Sequence, residues 1–259
     1  GKKILISGGG RCNFTNVETA ADRYLSANPH FAKSALGRYR PADFIALVDR
    51  YGIGWHEKTL GQLFCNDTAR DIVAMLMAEC AAGGVDFAFS TDIGEIGHAD
   101  GLFHVAGKSA RALVIATGGP SIPKMGASGI AYDIARRFGL KVVEPRPALV
   151  PLTLGGDDIL FRDLSGVSAE VTARAGKTAF REAALFTHRG LSGPAILQIS
   201  SYWRHGDPVR INFAPDADAD WLRQLKRDKP KATLKGAMST RLPDRLSLAL
   251  AERLSGEDT

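Results

Sequence analysis

Apolar residues in the first half of the chain recur at two spacings, one typical of helices and one of strands. Within residues 68–82, Ile72 and Leu76 lie four positions apart on one helical face, and Thr68 precedes them as a suitable N-cap. Similar stripes recur before and after this segment. The pattern therefore predicts helices over residues 41–51, 68–82 and 128–138.

Shorter apolar runs between these helices are typical of strands. Residues 110–116 read ARALVIA, a continuous apolar run that predicts a strand buried on both faces of a parallel sheet. Residues 92–98 and 101–105 have the pattern of a hairpin. Further strands are predicted at 3–7, 85–90 and 141–144. Strands and helices in this order indicate an α/β sheet.

The pattern changes near Pro145, where Pro145, Pro147 and Pro151 interrupt the chain. Beyond this point short strands predominate, followed by a helical region. We therefore predict a boundary near residue 144 and two domains, 1–144 and 145–259. In the second domain we expect strands at 150–154, 167–173, 178–185 and 209–213 and helices at 195–202 and within 216–253.

Composition narrows the protein class. The chain has 259 residues, 45% of them hydrophobic and 24% charged, as in ordinary globular proteins. No apolar run approaches the roughly 20 residues that a membrane span needs, so we expect no membrane association. Cys12, Cys65 and Cys80 show neither disulfide nor metal spacing, and nothing resembles a signal peptide. We expect a reducing, cytoplasmic location and no metal site.

The most informative segment follows the first predicted strand. It contains three consecutive glycines, which allow left-handed backbone and bring a ligand close to bare peptide groups. Such a turn forms an anion-binding concavity, and the polar side chains behind it add hydrogen-bonding groups. We interpret it as a ligand-binding loop; the alternative is a flexible turn. The residues are Gly8, Gly9, Gly10, Arg11, Cys12, Asn13, Thr15 and Asn16.

A second glycine-rich segment follows the run at 110–116. Thr117, Gly118 and Gly119 would expose bare backbone at the carboxyl edge of the sheet, where α/β proteins bind ligands. Gly126 and Gly129 then lead to a predicted helix N-terminus, which favours negative charge. A plain strand-to-helix connection is the alternative.

A third cluster lies at residues 187–194, reading THRGLSGP. His188 beside Arg189 offers a titratable group and a cation that could face a substrate. Local hydrogen bonding by His188 is an equally good explanation. We treat both residues as weak catalytic candidates, and we identify no obvious general base.

Positive charge is concentrated near the C-terminus. The net charge is +5 and the isoelectric point is about 9.2. A charge run of this kind is usually the solvated face of helices, and a polyanion- or RNA-binding module is the alternative. The cations are Arg223, Lys226, Arg227, Lys229, Lys231, Lys235, Arg241 and Arg245.

Together these motifs resemble one family, the bacterial BaiN/YhiN-like FAD-binding flavoproteins, described as NAD(P)/FAD-dependent oxidoreductases. The similarity spans nearly the whole chain, with Phe64-Cys65 where Phe-Pro is usual. The matching segments are GKKILISGGGRCNFTN (1–16), LVIATGGPSIPKMGASGIAYDIARRFGL (113–140), PRPALVPL (145–152) and LFTHRGLSGPAILQIS (185–200).

The resemblance implies an α/β fold with a Rossmann-like FAD-binding domain interrupted by an inserted β-barrel-plus-helical domain. It places Gly8 to Asn16 along FAD, Thr117 to Gly119 near its dinucleotide part, and Ile93 against adenine. The family's GxGxxG unit and its C-terminal return to the FAD domain have no counterpart here. We therefore expect both domains to be partial.

We expect an FAD-dependent oxidoreductase that uses NAD(P)H as electron donor on a small-molecule substrate. Nucleic acid is expected to be an unlikely partner, and the sequence leaves the oligomeric state open. Two alternatives remain: an RNA-binding module using residues 223–245, and an inactive fragment unable to hold FAD.

Overall fold

A computed structural model describes residues 1–218 and 220–256, except for the side chains of residues 157–160 and 256. The chain divides into two compact units, Gly1–Glu144 and Pro145–Thr259. Each unit has its own hydrophobic core. Among the described residues, no helix has the length and apolar character required to span a bilayer.

The first unit combines five helices with two three-stranded antiparallel sheets. The sheet orders are β1-β3-β2 and β4-β5-β6. The helices are α1 (Lys2–Ile6), α2 (Lys33–Arg38), α3 (Pro41–Arg50), α4 (Ala69–Ala82) and α5 (Ile130–Arg137). The strands are β1 (Asn13–Asn16), β2 (Trp55–Glu57), β3 (Gln62–Cys65), β4 (Gly97–Ala99), β5 (Leu102–Val105) and β6 (Lys108–Ala110).

The three long helices of this unit confirm the predictions made from apolar spacing. Thr68 caps α4, its hydroxyl accepting a hydrogen bond from the Arg70 amide at 3.3 Å. Ile72 and Met75 point from α4 into the core, where they meet Val48 of α3. The buried faces of α3 and α4 therefore help to hold this core together, whereas α5 contributes no residue to it.

Strand predictions in the first unit are mostly wrong. Residues 3–6 belong to the short helix α1, which ends before Ser7 and in which the Leu5 amide donates to the Gly1 carbonyl at 3.0 Å. Of residues 110–116 only Ala110 belongs to a strand, and Val114 is 83% exposed. Residues 85–90 and 141–144 are also outside the strands.

These failures share a cause. An apolar run becomes a strand only when a neighbouring strand offers its backbone groups, and apart from Ala110, which pairs with Phe103, no residue of these four runs pairs with a strand among the described residues. The hairpin predicted over 92–105 does form, as β4 and β5, because its two halves pair with each other.

The second unit contains a five-stranded antiparallel sheet, curved as a half-barrel, and four helices. The sheet order is β11-β8-β9-β10-β7. The strands are β7 (Leu152–Thr153), β8 (Ser168–Ala175), β9 (Thr178–Thr187), β10 (Gly190–Ser192) and β11 (Arg210–Asn212). The helices are α6 (Pro194–Ser200), α7 (Trp221–Asp228), α8 (Leu234–Met238) and α9 (Asp244–Gly256).

The long hairpin of β8 and β9 dominates this unit. Val171, Ala173 and Ala175 alternate with exposed residues along β8, so one face of the strand is buried and the other is solvated. The buried face packs on α6 through Ile196 and Ile199. The strands and helices predicted for the second half are confirmed in type, with ends shifted by a few residues.

Candidate functional site

The first glycine motif forms a tight left-handed turn between α1 and β1. Gly8, Gly9 and Gly10 have φ values of 57°, 67° and 86°, and Cys12 continues the turn at 52°. Such values are costly for residues with a side chain, which explains the run of glycines. A Cβ built on Gly9 would have no atom within 4 Å. The turn thus presents bare backbone to open space.

Gly8 is constrained differently, because it lies directly on Phe64. A Cβ at Gly8 would come within 2.7 Å of both the Asn13 amide nitrogen and the Phe64 ring. The Phe64 ring is itself held by His56, stacked at 6.2 Å between ring centroids, and by the Lys58 ammonium 4.4 Å from the ring centroid. Phe64 is therefore the platform on which the turn rests.

The two asparagines predicted to contact a cofactor serve the local backbone. The Asn13 side-chain nitrogen, in the orientation that satisfies its neighbours, donates to the Thr15 carbonyl at 2.9 Å and the Leu63 carbonyl at 3.1 Å. The Asn16 side chain donates to the Leu60 carbonyl at 2.8 Å. Thr15 pairs with Leu63 across β1 and β3. Arg11 is exposed beside them, free to turn toward a ligand.

Two thiols lie beneath the turn. Cys12 and Cys65 are both buried in the core of the first unit, and the Cys65 amide donates to the Arg11 carbonyl at 2.9 Å. Burial raises the pKa of the Cys65 thiol from its ordinary value of 9.0 to about 11, with a smaller contribution from Cys12. Cys65 is therefore a neutral packing group at neutral pH.

The second glycine segment is an exposed extended chain that leads into α5. Gly118 has φ of 76° with open space around its Cβ position, and Gly126 has φ of 86°. Gly119 and Gly129 both approach the Tyr132 side chain, at 3.6 and 3.7 Å from their Cβ positions. Small residues here allow the loop to fold against that ring.

One hydrogen bond connects the second glycine segment to the helix that precedes the first. The Lys3 ammonium of α1 donates to the Ser121 hydroxyl at 3.1 Å. Ile93 is half-buried beside Gly94, which with Ile130 lines a cavity of about 150 Å³ against α5. The predicted site residues of the first unit are thus distributed over two linked loops and, for Ile93, the segment before β4.

The Cβ positions of Gly9 and Gly118 are open, so both loops present bare backbone to solvent. Neither loop lines the cavity of about 1310 Å³ in the second unit, the cavity of about 150 Å³ against α5, or the cavity of about 420 Å³ beside Phe213. A dinucleotide site normally adds enclosing walls to such turns. Both loops lie open to solvent, without such walls among the residues that line these three cavities.

The second unit contains a larger cavity, of about 1310 Å³, on the inner side of the half-barrel. Phe186 and Phe213 stack across it with ring centroids 6.1 Å apart. The Trp203 indole closes one side, its N–H donating to the Asp207 carbonyl at 2.7 Å. Arg146, Arg204, His205 and Asp207 add charged or polar groups to the apolar part of this wall.

His188 and Arg189 do not line this cavity. They form the exposed two-residue tip of the hairpin that joins β9 to β10. The Arg189 amide donates to the Thr187 hydroxyl at 3.4 Å, and its carbonyl accepts from the Leu154 amide at 3.1 Å. The backbone of the tip is thus fixed, while both side chains extend into solvent.

Comparison with family models decides the family. The model of the HI0933-like protein Rossmann domain matches residues 1–199, and that of the HI0933-like protein barrel and H2TH domain matches residues 146–259. The chain belongs to the HI0933-like family. This family is FAD-binding and of the BaiN/YhiN type, so the resemblance and the expected fold class are confirmed.

Three relatives illustrate the range of this HI0933-like family. The ribosomal RNA dihydrouridine synthase of Escherichia coli is 49% identical over 254 residues, covering 95% of this chain and 63% of the relative. The enzyme of the same name from Haemophilus influenzae is 44% identical, covering 95% and 64%. The 3-dehydro-bile acid delta(4,6)-reductase of Clostridium scindens is 27% identical, covering 97% and 66%. The chain thus spans just under two thirds of each relative.

These names change part of the expectation. An FAD-dependent oxidoreductase is the coarse activity that the family supports. The expectation that nucleic acid is an unlikely partner is wrong, because the two most similar of these relatives are named for ribosomal RNA. The expected small-molecule substrate loses its support for the same reason. The positive charge at 223–245 was the signal available in the sequence.

Sequence reasoning also missed the residues that support the glycine turn. Phe64, Leu60 and Gly61 all follow the turn by about fifty residues: Phe64 contacts the turn at Gly8, whereas Leu60 and Gly61 contact Asn16 at the end of β1. Of the three, only Phe64 has a signal in the sequence, as part of Phe64-Cys65 where Phe-Pro is usual, and that signal predicts no contact with the turn. The register of β1 on β3 is a tertiary property, set by packing that the local pattern does not encode.

Proposed function

We propose that this protein is an FAD-dependent reductase that converts uridine to dihydrouridine in ribosomal RNA. The observation that carries the cofactor part is the left-handed glycine turn, with its bare backbone above the Phe64 platform. The substrate part comes from the names of the two relatives at 49% and 44% identity.

The chemistry in the relatives' names supports one reaction class. Dihydrouridine is uridine with its C5–C6 double bond reduced, and that bond is conjugated to the C4 carbonyl. A 3-dehydro-delta(4,6) steroid also carries carbon–carbon double bonds conjugated to a carbonyl. Bound, reduced FAD supplies the hydride for such a bond, and a proton completes the addition. The remaining task of the protein is to bind, orient and polarise the substrate.

We propose that the two glycine loops hold FAD through backbone groups, with Arg11 toward its phosphates. Ile93 would contact adenine through its backbone. Exposure of His188 and Arg189 at a hairpin tip suits a substrate as large as RNA, in which Arg189 could donate to a uracil carbonyl. The proposed FAD contacts are Gly8, Gly9, Gly10, Arg11, Cys12, Asn13, Thr15, Asn16, Ile93, Thr117, Gly118, Gly119, Gly126 and Gly129.

NADH or NADPH is the proposed electron donor, because the oxidised flavin must be reduced again after each turnover. The cytoplasm is the proposed compartment, since it contains both ribosomal RNA and the reducing conditions that suit three free thiols.

Titration of the purified protein with FAD tests the cofactor part, with flavin fluorescence as the measurement. The parent protein should quench the fluorescence to saturation. Gly9→Ala should weaken binding at least tenfold, because its methyl group would occupy the open side of the turn. Gly52→Ala is the matched control: Gly52 has φ of 65° and open space around its Cβ position, so the backbone strain is the same.

Equal FAD affinity of the two variants would remove the glycine turn from the proposed site. Absence of any flavin uptake by the parent would contradict the proposal for this chain and favour the inactive alternative.

The reaction itself is tested with unmodified ribosomal RNA, FAD and either NADH or NADPH. After digestion to nucleosides, mass spectrometry should detect uridine heavier by two hydrogen atoms. Arg189→Ala should lower the yield without changing FAD affinity, because Arg189 is assigned to the substrate. A flavin-loaded, reduced protein that leaves the RNA unchanged would overturn the substrate assignment.

A further inference from the structure

The eight cations between Arg223 and Arg245 fall into two groups. Four have partners within the protein, which ties their charges to structural roles. Arg223 pairs with Asp220 at 3.0 Å, Lys226 donates to the Ala232 carbonyl at 3.0 Å, Arg241 lies over the Trp221 ring at 5.5 Å, and Arg245 donates to the Asp163 and Ser165 carbonyls.

The other four are Arg227, Lys229, Lys231 and Lys235, here named the basic segment. All four are exposed, and none has an ion pair or hydrogen bond from its side chain to any described residue. Asp228 is the one acidic residue within 227–235. Nine residues therefore expose four positive charges and one negative charge to solvent, and none of the four cations is in an ion pair with a described residue.

The backbone that carries the basic segment is ordered by local hydrogen bonds. The Lys229 amide donates to the Leu225 carbonyl at 2.8 Å, and the Ala232 amide donates to the Lys229 carbonyl at 3.0 Å. The Thr233 hydroxyl then accepts from the Gly236 amide at 3.1 Å and starts α8. The charges are thus displayed on a fixed turn, so a partner that binds them loses little backbone entropy.

We infer that the basic segment is a docking surface for the phosphate backbone of RNA. The inference rests on the proposed function, since it names where that RNA substrate is held. Lysine and arginine side chains on a surface bind phosphates with little sequence preference, which suits positioning of a large folded RNA. An anionic membrane is less well matched, because insertion needs a row of apolar residues and Leu234 alone is partly exposed here.

Anisotropy of a fluorescein-labelled single-stranded RNA, measured at increasing KCl concentration, tests the surface. Lys229→Gln with Lys231→Gln should weaken binding and lower the slope of log affinity against log salt by about 1.4, the value for two phosphate contacts. Lys108→Gln with Lys141→Gln is the matched control, which removes two exposed lysines from the first unit. The control should leave the slope unchanged.

A parent protein that does not bind this RNA, or a double variant with the parent's slope, would overturn the inference. The inference would also be overturned if the parent bound phosphatidylglycerol vesicles but not RNA, and if the two lysine substitutions weakened that vesicle binding. The proposed function is judged separately, by dihydrouridine formation. If the parent forms dihydrouridine but the double variant keeps the parent's salt slope, only the docking surface is rejected. If the double variant has a lower slope but no dihydrouridine is formed, only the proposed reductase activity is rejected.

Discussion

Gly8 and Gly9 share a residue type and a left-handed backbone, yet different forces require them. At Gly9 only the backbone conformation excludes a side chain, since the space beyond it is open. At Gly8 the Asn13 backbone and the Phe64 ring also fill the position of a Cβ. Gly8 is therefore constrained by packing as well as by backbone conformation, whereas Gly9 is constrained by backbone conformation alone.

Substitution by alanine separates the two requirements. Gly8→Ala should lower the free energy of unfolding by about 2–4 kcal/mol, because backbone strain and steric overlap add. Gly9→Ala should cost only the strain, about 1–2 kcal/mol. Urea unfolding of both variants measures the difference, and equal losses would show that the Phe64 contact does not constrain the turn.

Cys65 gives stability a dependence on alkaline pH. Its pKa is about 11 when folded and near 9.0 when exposed, so the unfolded chain releases this proton first. The stability that the neutral thiol contributes is fully present below pH 9 and is lost as the pH rises toward about 11. The unfolding free energy of the parent should fall more steeply over this range than that of Cys65→Ala. Parallel curves would mean that Cys65 ionises freely in the folded protein.

The glycine turn could be predicted from the sequence because left-handed backbone has a direct residue signature. The roles of Asn13 and Asn16 could not, because their hydrogen-bond acceptors belong to Leu63 and Leu60, more than forty residues away. A polar side chain near a glycine run fits a ligand or a neighbouring strand equally well. Only the three-dimensional structure distinguishes these partners.

Helices and strands differed in how well the pattern predicted them. Helix α4 makes its backbone hydrogen bonds within its own residues, and its apolar stripe provides the face that is buried. The helix therefore forms as expected. Residues 110–116 carry an equally strong apolar signal but depend on strands at both sides, and these are absent from the described part of the first unit. The β8–β9 hairpin succeeded because it contains both partners within twenty residues.

One strand pairing in the second unit places two positively charged side chains directly opposite each other. Arg174 on β8 lies directly opposite Arg210 on β11, and both are exposed. Like charges at such positions repel, and no acidic group among the described residues forms an ion pair with either arginine. Arg181 on β9 has the opposite arrangement, held by Glu170 at 2.7 Å and Asp216 at 2.6 Å.

Arg174→Thr should therefore raise the unfolding free energy by about 0.5 kcal/mol, since threonine suits an exposed strand and the repulsion is removed. Arg181→Thr is the control on the neighbouring strand and should lower it by a similar amount. Thermal unfolding at low and high salt measures both. The two effects should shrink as salt screens the charges, and a loss of stability in Arg174→Thr would refute the repulsion.

Taken over the full chain, family membership and fold class were accessible from motifs in the sequence, whereas the expectation about nucleic acid was wrong. The family models and the resemblance agree because the motifs 1–16 and 185–200 are specific in combination. The cations at 223–245 were interpreted as a solvated face, since sequence alone does not reveal which charges are already neutralised. The structure distinguishes the four cations that have partners within the protein from the four cations of the basic segment.

The free cations of the basic segment also have a practical consequence at the bench. Ribosomal and other cellular RNA should adhere to this surface during lysis and remain through low-salt chromatography. Ultraviolet absorbance of the adhering nucleotides would then inflate the apparent protein concentration and make flavin occupancy look too low. A wash at molar salt before any spectrum is recorded removes that error, because the counterions displace the nucleic acid.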